Sequence, residues 1–65
     1  MEIIINGKKE ETEARTINDI VEKRKLDKSG LVIEHNGKIL QQDNWPERKI
    51  QNGDKLELLS FVGGG

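Results

Sequence analysis

The sequence predicts an α+β fold in which one mixed sheet of four to five strands carries a single helix on one face. Three Asn-Gly pairs, at 6–7, 36–37 and 52–53, fit tight turns between extended segments. One stretch, about 17–25, places apolar residues at helical spacing, as in a helix with one buried side. The first and last strands are apolar at consecutive positions, which is typical of strands at the centre of a sheet.

The composition indicates one small domain and excludes several classes of site. Leu, Ile, Val and Phe make up 18 of the 65 residues, enough for a folded core. There is no cysteine and only one histidine, so a disulfide and the usual zinc sites are excluded. The net charge of -1 gives no electrostatic reason to bind nucleic acid, and no apolar run is long enough to cross a bilayer. We expect a cytoplasmic protein that binds no metal, cofactor, nucleic acid or membrane.

The first half of the chain predicts a hairpin followed by the helix. Residues 2–5 form an apolar strand, Asn6-Gly7 the turn, and residues 8–12 a polar edge strand. Thr16 fits the N-cap of the helix, with Asp19 three residues later as an approximate capping box. The apolar stripe of this helix consists of Ile17, Ile20 and Val21.

The second half predicts three more strands. Residues 31–35 and 38–40 form a second hairpin around the Asn36-Gly37 turn. The segment 41–48 lacks strand periodicity and contains the only proline, which ends any turn of helix there. The last strand, residues 55–62, follows the third Asn-Gly turn.

The order β-β-α-β-β-β, together with two central strands, fixes the expected topology. The first and last strands flank a helical crossover, so they are most simply parallel neighbours, with their hairpin partners outside them. This is the β-grasp architecture.

Alternation along the strands separates two faces of this sheet. The residues expected to pack against the helical stripe are Ile3, Ile5, Ile33, Leu56 and Leu58. The residues expected on the face without a helix are Ile4, Val32, Leu59 and Phe61. An uncovered apolar patch on so small a domain suggests a surface that docks on partner proteins. The alternative is that the segment around Trp45 folds over part of it.

No catalytic group of residues is found, so we expect a protein that is not an enzyme. His35 is a lone histidine beside a turn, for which a hydrogen-bonded or solvent-facing role is expected. Ser60 lies within a strand and has no histidine base nearby. No glycine-rich loop joins a strand to a helix, so no phosphate site is predicted. Trp45 is interpreted as the packing anchor of its loop.

The end of the chain is its most unusual feature. Residues 1–62 form the predicted domain, and Gly63, Gly64 and Gly65 form a flexible tail directly after a dense apolar run. Such a tail is slim enough to thread a partner's channel and present the carboxylate of Gly65. If a partner used ATP to convert that carboxylate to an acyl-adenylate, a sulfur nucleophile could displace AMP and leave a thiocarboxylate. The other interpretation is a frayed terminus or linker.

These features together resemble the ubiquitin-like sulfur carriers, and within them the ThiS family. The resemblance covers essentially the whole chain. It depends on the hairpin-helix opening, on Asn52-Gly53-Asp54 before an apolar last strand, and on the terminal Gly64-Gly65. The segment Gln42-Asp43-Asn44-Trp45 is similar to a tryptophan-bearing segment of many family members.

The resemblance implies a function and a set of partners. Gly65 is implied to be adenylated by an E1-like, ThiF-type enzyme that consumes ATP, and then converted to a thiocarboxylate. The sulfur is implied to come from a cysteine desulfurase persulfide or a related donor, and to pass to thiazole synthase for the thiazole ring of thiamine. Leu59 and Phe61 are the expected contacts with both enzymes.

Three alternatives remain open on the sequence alone. The small subunit of molybdopterin synthase shares the fold and the thiocarboxylate chemistry, although such proteins tend to be longer and often carry a proline before the last glycines. A ubiquitin-like modifier would instead form an isopeptide bond with a substrate lysine. A regulatory β-grasp domain would carry the glycines incidentally.

Overall fold

The computed structural model of the chain describes residues 1–61. The helices and strands are β1 (Glu2–Ile5), β2 (Lys8–Glu11), α1 (Ile17–Lys23), β3 (Leu31–His35), β4 (Lys38–Leu40), a short 3-10 helix (Gln42–Asn44) and β5 (Lys55–Ser60). The five strands form one sheet in the order β2-β1-β5-β3-β4. The predicted order of elements and the predicted sheet are therefore confirmed.

The centre of the sheet is a parallel pair formed by the first and last strands. Ile4 and Ile5 of β1 lie opposite Lys55 and Leu56 of β5, while the remaining strand pairs are antiparallel. The side chain of Asn6 extends this pairing beyond β1, since its Oδ1 accepts from the backbone N–H of Leu58 at 2.8 Å. The last strand is thus bound on both sides, by β1 and by β3.

The two hairpin turns have the backbone geometry that their Asn-Gly pairs predict. The φ angles are 50° and 82° at Asn6-Gly7, and 52° and 86° at Asn36-Gly37. A two-residue turn with positive φ at both positions matches the right-handed twist of the flanking strands, and asparagine and glycine tolerate this conformation best.

Helix α1 begins as predicted and ends two residues early. Thr16 Oγ1 accepts from the N–H of Asp19 at 3.2 Å, and Asp19 Oδ2 accepts from the N–H of Thr16 at 3.1 Å, which completes the capping box. At the other end Lys25 has a φ of 55° and donates to Glu22, while Leu26 donates to Val21. This is a Schellman ending with lysine at the position where glycine is usual, so the predicted extension to residue 25 was wrong.

Two strand ends also differ slightly from the prediction. Strand β2 ends at Glu11, one residue before the predicted end, and β5 ends at Ser60 with Phe61 outside the strand. Residue 62, the predicted last residue of β5, lies outside the described part of the chain.

The core lies between the sheet and α1, with the loop after β4 closing its side. Its buried apolar residues are Ile3, Ile5, Ala14, Ile17, Ile20, Val21, Leu31, Ile33, Leu40, Trp45, Ile50 and Leu56. Of the eight residues predicted for this core, Leu58 alone is only partly buried. It lies near the end of β5, where the seven-residue helix no longer covers the sheet fully.

Trp45 anchors the irregular segment from the helix side of the sheet. Its side chain is 1% exposed, and its Nε1–H donates to the carbonyl of Leu40 at 3.2 Å. The carbonyl of Trp45 accepts from the N–H of Asn18, so the segment is bound to the start of α1. The interpretation of Trp45 as a packing anchor is confirmed, and the alternative in which this segment covers the face without a helix was wrong.

Candidate functional site

The face of the sheet that carries no helix presents a group of apolar side chains. Val32 and Leu59 lie directly opposite each other on β3 and β5, and Ile4 occupies the same face on β1. Leu59 is 40% exposed and Phe61 is 70% exposed, whereas Ile4 and Val32 are half-buried. The pairing thus places Ile4, Val32 and Leu59 on the uncovered side, and Phe61 follows β5 as an exposed residue. The role of all four in binding stays a prediction. We call the surface formed by Ile4, Val32, Ile39, Leu59 and Phe61 the open face.

Ile39 belongs to the open face and was missed by the sequence analysis. It is 67% exposed and lies opposite Glu34 in the β3-β4 pairing, which makes it a diagonal neighbour of Val32. A signal was available, because Leu40 faces the core and its neighbour on a strand must face the other way. Strand β4 has only three residues, so its alternation is a weak signal.

Two carboxylates lie on the open face beside its apolar side chains. Glu34 on β3 lies directly opposite Glu57 on β5, and both residues are half-buried. The three ion pairs found among residues 1–61 use the carboxylates of Glu10, Glu11 and Asp54, not those of Glu34 and Glu57. The open face therefore combines apolar side chains with two like charges in one cross-strand row.

The only histidine of the chain, His35, lies in a polar cluster at the C-terminal end of β3. His35 Nε2 lies 2.7 Å from Oδ2 of Asp54, which also accepts from the N–H of Gln51 at 2.8 Å. Asn36 Nδ2 donates to Oδ1 of the same carboxylate at 3.2 Å. Of the two roles expected for this histidine, hydrogen-bonded or solvent-facing, the hydrogen-bonded one is confirmed.

This environment sets the ionisation of Asp54, which is 8% exposed. Burial disfavours the charged form, but hydrogen bonds from His35, the Gln51 N–H and Asn36 outweigh it, so the pKa of Asp54 lies below its ordinary value. The pKa of Asp19 at the helix N-terminus is lowered as well, mainly by the backbone N–H groups of Arg15 and Thr16. Both carboxylates accept hydrogen bonds that stabilise local structure.

No triad of nucleophile, base and orienting acid forms among the described residues. His35 lies opposite Leu56 on β5, whereas Ser60 lies opposite Leu31 at the other end of β3. Four residues along a strand separate the two groups by about 13 Å, so His35 cannot act as a base for Ser60.

Residues 1–61 also provide no cluster of three or more acidic or histidine side chains suited to a metal ion. Within the same range, the structure contains no helix with the length and apolar character needed to span a membrane.

The predicted sulfur acceptor and threading residues, Gly63, Gly64 and Gly65, lie outside the described residues. The last described residue, Phe61, donates its N–H to the carbonyl of Gly30 at 2.8 Å. This contact continues the β3–β5 pairing one residue past Ser60, so the described chain ends two residues after Leu59.

Comparison with protein families gives a match to the ThiS family over residues 2–65. The chain is 40% identical to the uncharacterized protein ycf40 of Trieres chinensis, over 94% of this chain and 85% of that protein. It is 30% identical to the sulfur carrier protein ThiS of Bacillus subtilis (strain 168), over 94% of this chain and 96% of that protein.

A third relative is a much longer protein. It is a thiazole synthase of Paramagnetospirillum magneticum (strain ATCC 700264 / AMB-1), 29% identical over the whole of this chain. The matched stretch makes up only 20% of that synthase.

Among solved structures, the crystal structure of the thiamine biosynthesis protein ThiS from Geobacter metallireducens matches with a TM-score of 0.84. The match covers 100% of both chains at 25% sequence identity. The predicted β-grasp fold, a mixed five-stranded sheet with one helix on one face, is confirmed.

Proposed function

The chain belongs to the ThiS family, and on that premise we propose that it is a sulfur carrier for thiamine biosynthesis whose acceptor is the carboxylate of Gly65. The observation that carries this proposal is the family match, which extends to residue 65 and so includes the terminal Gly64-Gly65. The relative named as a sulfur carrier supports it, since the two proteins match over nearly their whole lengths.

The chemistry requires activation because a carboxylate has no good leaving group. A carboxylate oxygen of Gly65 attacks the α-phosphorus of ATP, and pyrophosphate leaves to give the acyl-adenylate. A hydrosulfide equivalent then attacks the carbonyl carbon and AMP leaves, which produces the thiocarboxylate. If the donor is a persulfide, the first product is an acyl disulfide, which a thiol cleaves to the same thiocarboxylate.

The activating step belongs to a partner enzyme. We assign it to an E1-like, ThiF-type adenylating enzyme that binds ATP, with a cysteine desulfurase system as the sulfur source. The described residues support a non-catalytic role, because the single histidine is engaged with Asp54 and is remote from Ser60. The carrier itself binds no cofactor in this scheme.

The receiver of the sulfur in this proposal is thiazole synthase. A protein of that name contains a stretch similar to the whole of this chain, which links the two sequences in one polypeptide. The open face supplies the docking surface, with Ile4, Val32, Leu59 and Phe61 as the contact residues of the carrier. Gly63 and Gly64 follow the last strand and thread the channel of each enzyme, so that Gly65 reaches its active site.

The direct test is mass spectrometry after incubation with ATP, the ThiF-type enzyme and sulfide. The wild-type chain should gain the mass difference between one sulfur and one oxygen, and a variant lacking Gly65 should not. That deletion should leave the thermal unfolding midpoint unchanged, because the buried core lies between Ile3 and Leu56. Bacillus subtilis ThiS serves as the control substrate; no mass gain with an enzyme that charges this control would contradict the proposal.

A genetic test separates the pathway from the alternatives. Deletion of the gene should create a requirement for thiamine that the thiazole moiety alone satisfies. A loss of molybdenum-cofactor activity without that requirement would favour the molybdopterin alternative. Isopeptide-linked adducts in cells would favour a protein modifier.

A further inference from the structure

The two carboxylates of the open face carry an inference that goes beyond an apolar docking surface. The pairing register places Glu34, Glu57 and Ile39 in one row across the sheet, with Glu34 between the other two. The neighbouring row contains Val32 and Leu59. The charges therefore adjoin the apolar side chains of Val32, Leu59 and Ile39, while Lys55 and Ile4 occupy the row on the other side.

This arrangement is unfavourable in the free carrier. Like charges that lie directly opposite each other on neighbouring strands destabilise a sheet. No cation of residues 1–61 forms an ion pair with either carboxylate, and Lys55, on the same face, lies opposite Ile4 in the next row. Partial burial of both glutamates among apolar side chains adds to the repulsion.

The same arrangement argues against a second copy of the chain as the occupant. Two open faces packed around a two-fold axis would bring both carboxylate pairs into one dry interface. Charges buried without partners oppose association, so we expect the pair to disfavour a homodimer through the exposed Leu59 and Phe61.

We propose that Glu34 and Glu57 together receive one basic side chain, most simply an arginine, from the docking surface of thiazole synthase. This inference rests on the proposed function, which supplies the partner. A planar guanidinium presents several N–H donors and can bond two carboxylates at once. Its arrival removes the repulsion of the free carrier, while the surrounding apolar residues exclude water from the ion pairs. The carboxylate pair thus selects the partner and fixes its register on the sheet.

The test compares two double variants that remove the same charge. Glu34→Gln/Glu57→Gln neutralises the proposed site, and Glu22→Gln/Glu47→Gln neutralises two exposed carboxylates on the helix and the loop after β4. Binding of each to purified thiazole synthase is measured by calorimetry at low and high salt. The first variant should bind at least about tenfold more weakly at low salt and lose most of its salt dependence. The control should bind within about twofold of the wild type.

Two further measurements, thermal unfolding and sedimentation, distinguish the loss of a binding contact from misfolding of the variant. The Glu34→Gln/Glu57→Gln variant should unfold at the same temperature as the wild type or higher, because the repulsion is gone. In sedimentation at high concentration it should self-associate, whereas the wild type should remain monomeric.

Affinity of this variant equal to that of the wild type at both salt concentrations would overturn the inference. So would weakened binding to the ThiF-type enzyme with unchanged binding to thiazole synthase. If the wild type and the variant gain and transfer sulfur equally well, the inference is overturned and the proposed function is not. A wild-type chain that gains no sulfur would instead contradict the proposed function.

Discussion

The two faces of the sheet are made by the same strands, yet one face is buried and the other is exposed to solvent. On β3, Ile33 is fully buried under α1, while its neighbour Val32 is half-exposed on the open face. On β5, Leu56 is fully buried and Leu59 is 40% exposed. One helix and one tryptophan-bearing loop close the first face. Buried and exposed apolar residues thus alternate along single strands, so the core and the open face can be changed independently.

The largest expected effect on stability comes from substituting adjacent residues of β3, which lie on opposite faces of the sheet. Ile33→Ala should lower the free energy of unfolding by about 2–5 kcal/mol, because it leaves a cavity in a close-packed core. Val32→Ala, its matched control on the other face, should cost about 1 kcal/mol or less. Urea denaturation followed by circular dichroism measures both. Equal losses of unfolding free energy in the two variants would show that both faces contribute equally to stability.

The polar cluster at the end of β3 should give an intermediate, pH-dependent effect. Asp54→Asn should destabilise the domain by about 1–3 kcal/mol at neutral pH, because the amide cannot accept all the hydrogen bonds that the carboxylate accepts.

The sign of the pH dependence follows from the lowered pKa of Asp54. Its stabilisation is fully present above the ordinary value of 3.8 and is lost as the pH falls through the lower pKa of the folded state. The gap between wild type and Asp54→Asn should therefore narrow in acid. A constant gap from pH 7 to pH 2 would show that the charge of Asp54 contributes nothing.

The smallest expected effect on stability comes from the open face, where the effect on binding should be large. Leu59→Asp should lower the free energy of unfolding by about 1 kcal/mol or less, a cost that includes the repulsion between the new carboxylate and Glu57. It should weaken activation by the ThiF-type enzyme by about thirtyfold, as expected for a central interface residue. Asn44→Asp, which adds the same charge on the exposed 3-10 helix, is the control. Unfolding of Leu59→Asp would show that this residue supports the core.

Most of the fold was predictable because its signals are local and strong. Asn-Gly turns, the Thr16-Asp19 capping box and alternating strands each depend on neighbouring residues. The early end of α1 was not predictable in the same way, because Lys25 occupies a position that a glycine would normally mark. Ala14 and Ile50 were also missed, since they join the core from segments without periodicity.

The candidate site was predictable only in part. Parity along the strands places Ile4, Val32 and Leu59 correctly from the sequence alone. The pairing of Glu34 with Glu57 depends on the register between β3 and β5, which a single sequence does not specify. The glycine tail was identified by its composition, and it lies beyond the described residues.

The position of β5 has a consequence for how this domain folds. Among residues 1–61 it is the last strand in chain order, yet it lies between β1 and β3 and supplies the hydrogen bonds to both. Without β5, the β1–β2 and β3–β4 hairpins lack the strand that joins them, and Ile5 and Ile33 lose their cross-strand partners on it. The complete sheet can therefore form only once this strand is in place.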